Sequence, residues 1–485
     1  ASGTVTLASA SSIDGANAIT AVVSNSQGFE SQGGVSFVRD TTAPNITDTD
    51  TNMVVVTDTA DNIIVTSNES GFAKLGSTSL KLTDANGNQG AFNLSEQASG
   101  TQSLTVEDIF GQTTDLGFVT LGTAGHDASL SSSARYVYGL GGNDVLTSTY
   151  AGANNQGASL YGGAGNDTLI GIAKNNTFVG GTGADLLDLN GGNNTIIWNV
   201  AASGDGASDS NSTATDYLYD FSTSNDTLLV VATGVHSFTA GVDVTLALPA
   251  RSIADPLNGG TATFTQMGVN LDDAALATGA GDLLIEFAGA PSLADFLGAL
   301  RFDLTGTSGA DILGGGANAD TLKGGAGADT FVFAAGGSTP TVSGSTVLGY
   351  DVIADMALGE DIVDLSGVPA IAMNTAGTNG IDAANIKSHS IVNGLLTFGG
   401  ADAYASALDV NAFTLADAVA YLQANITGSG QAVVFRQDSH SYVFQHTSAD
   451  PSVHTADLLI QLSNITTVAG LTDVAHPVAN YLFIA

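Results

Sequence analysis

A period of nine residues constrains this chain more than any other feature. Residues 162–170 set Gly162, Gly163, Gly165, Asp167 and Leu169 in the order G-G-x-G-x-D-x-U-x, where U is a large apolar residue. From 162 the period continues without a break to 197, with Asp167, Asn176, Asp185 and Asn194 at the sixth position and Leu169, Phe178, Leu187 and Ile196 at the eighth. Gly180, Gly181 and Gly183 renew the glycine pattern. A second block over 306–332 steps Asp311, Asp320 and Asp329 by nine, with Leu313, Leu322 and Phe331 in phase and Gly324, Gly325 and Gly327 completing the motif. Two further copies lie upstream, ending on Asp127 and Asp144.

Such a repeat has one mechanical solution. Early glycines permit the positive φ of a tight turn, the aspartate supplies a carboxylate at that turn, and the apolar residue two positions on anchors a short strand in a core. Two nonapeptides make one coil, so turns alternate between two edges and neighbours on an edge stack ~4.8 Å apart. The intervals from Asp127 to Asp144, Asp167 and Asp185 each correspond to one coil if 131–138 is a shortened turn and 153–161 follows an insertion. All four aspartates then share one edge, opposite Tyr136, Ala158, Asn176 and Asn194. In the second block Asp311 and Asp329 share an edge; Asp320 has no in-register partner, although Asp303 is close.

Charge makes a cation necessary. Lys and Arg number 10 against 47 Asp and Glu, a formal charge of −37, and all but six of the acids are aspartate. Self-repulsion on that scale opposes a compact state. Short carboxylates, glycine-rich turns and the absence of Cys favour a hard ion with oxygen ligands, which is Ca2+ before zinc or iron, and several ions per chain. The same figures exclude a nucleic-acid binder, which needs a basic patch, and disulfide stapling or a thiol nucleophile. A hydrophobic fraction of 43% argues against a disordered acidic chain. No run approaches the ~18 apolar residues of a membrane-spanning helix.

The first 120 residues alternate in the manner of strands, as in 35–38, 53–56 and 80–83, with Gly, Asn, Asp and Pro between. A weak internal repeat relates 19–38 to 104–120. The Asp40-to-Pro44 stretch, Asp-Thr-Thr-Ala-Pro, resembles the junction between tandem immunoglobulin-like modules of bacterial surface adhesins. On that resemblance 1–44 is the C-terminal half of one module and 45–121 a complete immunoglobulin-like β-sandwich. Asp40, Asp48 and Asp50 could hold a cation at the junction, whereas the loop of Asp84, Asn86 and Asn88 lacks EF-hand spacing and reads as a solvated turn.

The repeats are similar to those of the RTX (repeats-in-toxin) group, proteins exported by type I secretion systems. Each block is followed by one further family-like motif: Asp216, Asp220 and Asp226 in the first, Asp351, Asp355 and Asp361 in the second, with identical offsets of four and six. The resemblance implies that these aspartates close a parallel β-roll and hold its last calcium, alongside the repeat residues Asp127, Asp144, Gly162, Gly163, Gly165, Asp167, Gly180, Gly181, Gly183, Asp185, Asp311, Asp320, Gly324, Gly325, Gly327 and Asp329. The expected fold is all-β: the immunoglobulin-like part, then two calcium-binding β-roll modules, 122–305 and 306–485, each with a β-rich extension and one short helix. The helices fall at 291–300 and 414–425, the latter capped by Thr414 with Asp417 in its first turn and Leu415, Val419 and Leu422 on one face. The tail from Phe435 to Ala485 resembles the secretion region of RTX surface-layer proteins. Segments 231–290 and 367–413 match no pattern.

Catalytic signatures are missing. The chain has no H-E-x-x-H, no G-x-S-x-G and no P-loop. Of seven histidines, His440, His446 and His454 fall in one hairpin region and read as surface polar residues rather than a zinc site. The expectation is therefore a secreted, extracellular, calcium-binding structural protein of the cell surface and not an enzyme. Self-association into a lattice or filament, the type I secretion machinery and a cell-surface polysaccharide are its candidate partners. The alternative is the C-terminal part of a calcium-dependent adhesin.

Overall fold

The structure is a computed structural model of the whole chain. It describes residues 15–24, 30–39, 54–56, 62–66, 71–82, 89–108, 113–201, 209–210, 214–255, 257–271, 283–289, 292–365, 370–475 and 480–484. Two compact units are present, 1–121 and 122–485. Asp40, Asp48, Asp50, Asp84, Asn86 and Asn88 lie outside the described residues.

In the first unit every described pairing is antiparallel. Gly15–Ser24 pairs with Glu30–Arg39. Val54–Val56, Asn62–Thr66 and Gln89–Asn93 form a three-stranded sheet. Thr78–Leu82, Gly71–Leu75, Gly100–Asp108 and Thr113–Leu121 form a four-stranded one. Alternate residues Ala73 and Leu75, Leu104 and Val106, and Val119 and Leu121 are buried, the period of two that a half-buried strand requires.

The second unit is built on parallel coils. In the first block, Leu130–Ser132, Val145–Ser148, Thr168–Ile170, Leu186–Asp188 and Asp216–Tyr219 stack in parallel as one sheet. Tyr136–Gly141, Gln156–Ala164, Asn175–Thr182, Thr195–Ala201 and Thr227–Thr233 stack as a second. The eighth-position residues fall in register: Leu146, Leu169, Leu187 and Leu218 on one sheet, Val137, Leu160, Phe178, Ile196 and Leu228 on the other, all fully buried. A strand of three residues cannot stand alone; it persists because each coil buries this one side chain between its neighbours.

The second sheet does not end with the first block. Thr227–Thr233 pairs in parallel with Leu300–Thr305, which continues to Thr321–Lys323, Asp351–Ile353 and Leu458–Leu462. Its partner sheet is exchanged instead. In the second block the opposing strands are Ser237–Thr239, Ile312–Gly314, Thr330–Phe333 and Ile362–Leu365, with Asn480–Ile484 added antiparallel. Phe238, Leu313, Phe331 and Val363 form the inner row there, against Leu304, Leu322, Ile353 and Leu462.

The segments without a sequence pattern extend these sheets. Val244–Ala254 and Thr261–Val269 form a hairpin that carries the first sheet onward through Leu283–Ala288, which lies parallel to Asp216–Tyr219. Thr375–Ala383, Ile386–Val392 and Leu395–Gly399 form a meander beside the tail hairpin Gln431–Gln437 and His440–Gln445. Both expected helices are present, as Leu293–Ala299 and Leu415–Asn425, each begun by a reciprocal capping box, Ser292 with Asp295 and Thr414 with Asp417. Val419 and Leu422 are fully buried, with Leu415 packed at the margin. Among the described residues no helix is long and apolar enough to cross a membrane.

The inner rows set a first expectation. Phe178→Ala would empty a fully enclosed position and cost about 3–5 kcal/mol. Chemical denaturation in saturating calcium should show that loss as a lower midpoint with the slope retained.

Candidate metal centre

At the edges of the roll, each sixth-position side chain reaches across to the preceding coil. The Asp127 N–H donates to Asp144 Oδ1 at 2.6 Å, Asp144 to Asp167 at 2.7 Å, Asp167 to Asp185 at 2.7 Å and Asp185 to Asp216 at 2.9 Å. One carbon between Cα and carboxylate gives Asp the reach for this contact between coils ~4.8 Å apart. The opposite edge repeats the contact with amides: Ala158 N–H to Asn176 Oδ1, Asn176 to Asn194, and Asn194 to Asp226. The aspartates are thus gathered on one edge, as the spacing predicts. Arg135, not Tyr136, stands level with Ala158, because Tyr136 pairs with Ser159.

In the second block Asp311 N–H donates to Asp329 Oδ1 at 2.9 Å and Asp329 to Asp361 at 3.0 Å. On the other edge Phe302 donates to Asp320 at 2.7 Å and Asp320 to Asp351 at 2.8 Å. Asp320 therefore has the in-register partner that the nine-residue spacing does not reveal. It is Asp351, one coil on. Asp303 is offset by one, opposite Thr321. Asp216, Asp226, Asp351 and Asp361 are the last rungs of four separate tracks rather than a motif apart. Asp220 and Asp355 are not rungs. Asp220 is exposed at a left-handed turn, and Asp355 accepts from the N–H groups of Gly324 and Gly325.

Glycine is required where coils touch. Gly181 and Gly183 have φ of +94° and +138°, and a Cβ on either would lie 2.0 and 1.8 Å from the carbonyl oxygens of Gly163 and Gly165 one coil earlier. A Cβ at Gly162, Gly180 or Gly324 would instead meet the Oδ2 of the same repeat's aspartate, at 2.5, 2.4 and 2.2 Å. The turns therefore hold a cradle of carbonyl and carboxylate oxygens that any larger residue would fill.

The second carboxylate oxygen decides what belongs there. Oδ2 of Asp144, Asp167, Asp320 and Asp351 is buried and has no hydrogen-bond partner among the described residues. Leaving such an atom desolvated and unpaired is costly. Burial pushes the Asp167 carboxyl up to about 7 and those of Asp320 and Asp351 to about 8 and 9, with the neighbouring Asp144 and Asp320 charges adding to the first and last. Burial likewise raises Asp144, Asp226, Asp329 and Asp361, and holds Asp216 well above the usual range. These carboxylates need protons or a cation. An all-oxygen donor set with several carboxylates suits Ca2+, whose chemistry here is charge neutralisation and the linking of consecutive turns.

Track ends are saturated differently. Asp127 Oδ2 accepts from the Thr123 N–H and hydroxyl. Trp198 Nε1 donates to Asp216 Oδ2 at 2.8 Å, and His236 Nδ1 lies 2.8 Å from Asp311 Oδ1. Two serines escape any sequence reading because they lie outside the period. The Asp216 N–H donates to Ser210 Oγ, which donates to the Leu284 carbonyl. Ser338 does the same between Asp351 and Leu459. The tail histidines are not the surface set their sequence suggests, since His446 is fully buried.

Residues 160–196 and 305–339 match the RTX calcium-binding nonapeptide repeat, in four copies. The chain carries RTX-type calcium-binding repeats. No curated protein matches the chain as a relative. The matched residues include Asp167, Asp185, Asp311, Asp320 and Asp329, while the RTX tracks continue beyond them to Asp127 and Asp144 upstream and to Asp216, Asp226, Asp351 and Asp361 at the closing coils.

Gly183→Ala should break the contact between the first and third turns of the unbroken run and cost about 2–4 kcal/mol, read as a higher calcium midpoint in circular dichroism. The pH dependence has a definite sign. Carboxyls raised in the folded state stabilise the metal-free fold below pH ~4, and that contribution is lost as pH rises through about 7 to 9. Calcium replaces those protons, so its apparent affinity should increase from pH 6 to 9 with proton release. Calorimetry in buffers of different ionisation enthalpy measures both.

Proposed function

We propose that this chain is a secreted structural protein of the cell surface that folds and assembles when it meets extracellular calcium. The observation that carries the reading is the set of buried Asp Oδ2 atoms without partners, in a chain of charge −37. Where calcium is scarce, mutual repulsion keeps such a chain extended and suited to passage through a type I exporter. Outside, calcium in the range of roughly 10⁻⁴ to 10⁻³ M is bound by modules of this kind, and binding energy becomes folding energy. The first unit serves as an immunoglobulin-like spacer in this reading.

Assembly is supported by apolar side chains at the surface of the 375–399 meander. Met373, Ile381 and Val392 are 79%, 66% and 57% exposed. Met373 and Val392 lie at the same end of the pair, where Asn374 Oδ1 accepts from the Asn393 N–H. Side chains of this size, so open to water, suit contact between copies. The role is scaffolding rather than catalysis.

The test uses the full chain in EGTA and in ~2 mM calcium, followed by circular dichroism and electron microscopy. A disordered spectrum in EGTA, turning to β structure with ordered arrays or filaments in calcium, is expected. The same folded spectrum in EGTA overturns calcium-driven folding. Monodisperse particles in calcium overturn assembly and leave adhesion to a matrix ligand as the better account.

A further inference from the structure

The tail hairpin carries a cluster that the calcium tracks do not use. His440–Gln445 and Leu458–Leu462 pair antiparallel with Gln445 opposite Leu458, so His446 and Asp457 emerge level with one another at the base of the intervening loop. His446 Nδ1 lies 2.7 Å from Asp457 Oδ1, and His454 Nδ1 lies 2.9 Å from Oδ2. The carboxylate is therefore divided between two rings. The side chains of His446 and Asp457 are 0% exposed and that of His454 is 30% exposed.

One atom in this arrangement is unsatisfied. His446 Nε2 is buried with no hydrogen-bond partner among the described residues. If Nδ1 donates to Asp457, Nε2 carries a buried lone pair with no donor; if the ring is protonated, Nε2 carries a buried N–H with no acceptor. Both forms are penalised. A bound metal ion relieves the penalty, and a carboxylate holding the other ring nitrogen is the usual partner of a metal-bound imidazole. Separation agrees with this. The two ring centroids are 5.6 Å apart, and two imidazoles on one tetrahedral ion, with bonds of about 2.1 Å, stand about 5 Å apart.

We propose that His446 and His454 bind one divalent transition-metal ion of the zinc type, chemically separate from the calcium sites, with His446 Nε2 as a ligand and Asp457 orienting both rings through their Nδ1 atoms. The three residues form one cluster, a potential ligand atom of each lying within 4.8 Å of the others. Imidazole nitrogen selects zinc, cobalt or nickel over calcium, which prefers oxygen throughout. The partial exposure of His454 gives the ion a way in and leaves a coordination position for water. Its structural effect is local: it clamps the loop that delivers Leu458–Leu462 onto Asp351–Ile353, the last strand of the second block's calcium track. The site stands on its own geometry and requires no assembly of the protein.

The experiment takes the calcium-saturated full chain, titrates it with Zn2+ by calorimetry and substitutes Co2+ with visible absorption as the readout. One ion per chain is expected, with the strong absorption of four-coordinate cobalt, which oxygen-only six-coordinate sites do not give. His454→Gln should weaken Zn2+ binding at least ~tenfold without altering the calcium-dependent circular dichroism, and His446→Gln should do the same. His440→Gln should bind as the unaltered chain does, because His440 Nδ1 is occupied by the Asn464 N–H. Zn2+ binding unchanged in His454→Gln, or the absence of the four-coordinate cobalt spectrum, overturns the proposal.

Discussion

The second unit depends on a single contact repeated along its edges: a carboxylate oxygen of one coil accepting the backbone N–H of the coil before it. That bond fixes the side chain with one oxygen used and the other turned into a water-poor seam. Asp144 and Asp167 show the consequence, each with Oδ1 bonded and Oδ2 buried and unpaired. Asparagine makes the same bond at Asn176 and Asn194 without carrying a charge, so the opposite edge is stitched by hydrogen bonds alone until Asp226. One edge of the first block is thus demanding of cations and the other is not. The fold concentrates its ionic requirement where the aspartates are consecutive.

Sharing of one sheet explains how two blocks of repeats separated by about a hundred residues of other sequence remain one unit. Thr227–Thr233 and Leu300–Thr305 are adjacent in the shared sheet although the 244–288 extension intervenes. That extension turns aside onto the first sheet, where Leu283–Ala288 takes the position after Asp216–Tyr219. In both blocks a serine secures the departing strand, Ser210 to Leu284 and Ser338 to Leu459. The same device recurring at equivalent coils means that each extension is continuous with the roll rather than appended to it.

Much of this was legible from spacing. The eighth-position residues from Leu160 to Ile196 and from Leu313 to Phe331 are the buried rows, and the shared edge of Asp127, Asp144, Asp167 and Asp185 follows from counting coils. What spacing could not convey is register across irregular intervals. Asp320 and Asp351 are 31 residues apart because a hairpin, Thr341–Ser343 with Thr346–Leu348, is inserted between them. An insertion erases periodicity while leaving three-dimensional register intact. The one-residue offset at Tyr136 has a related cause: a shortened turn preserves the coil but not the count. Ser210, Ser338 and the buried His446–Asp457 pair lie outside any repeat, and their roles come from tertiary neighbours that no local pattern encodes.

The two closing motifs share their offsets yet end their tracks in different chemical states. Asp216 Oδ2 is occupied by the Trp198 indole, a neutral donor that stabilises the carboxylate without a metal. Asp351, at the equivalent coil of the second block, has the matching oxygen buried and unpaired. On the other edge His236 precedes Asp311 in register, where a further aspartate would otherwise stand, and engages its Oδ1. Protein donors therefore bound these tracks at the junction of the blocks, and within the second block the unmet demand for a cation falls at Asp320 and Asp351. There the adjoining strand is Leu458–Leu462, which comes from the tail. Completion of this last coil consequently requires residues more than a hundred positions downstream, so the roll closes only once the tail has docked.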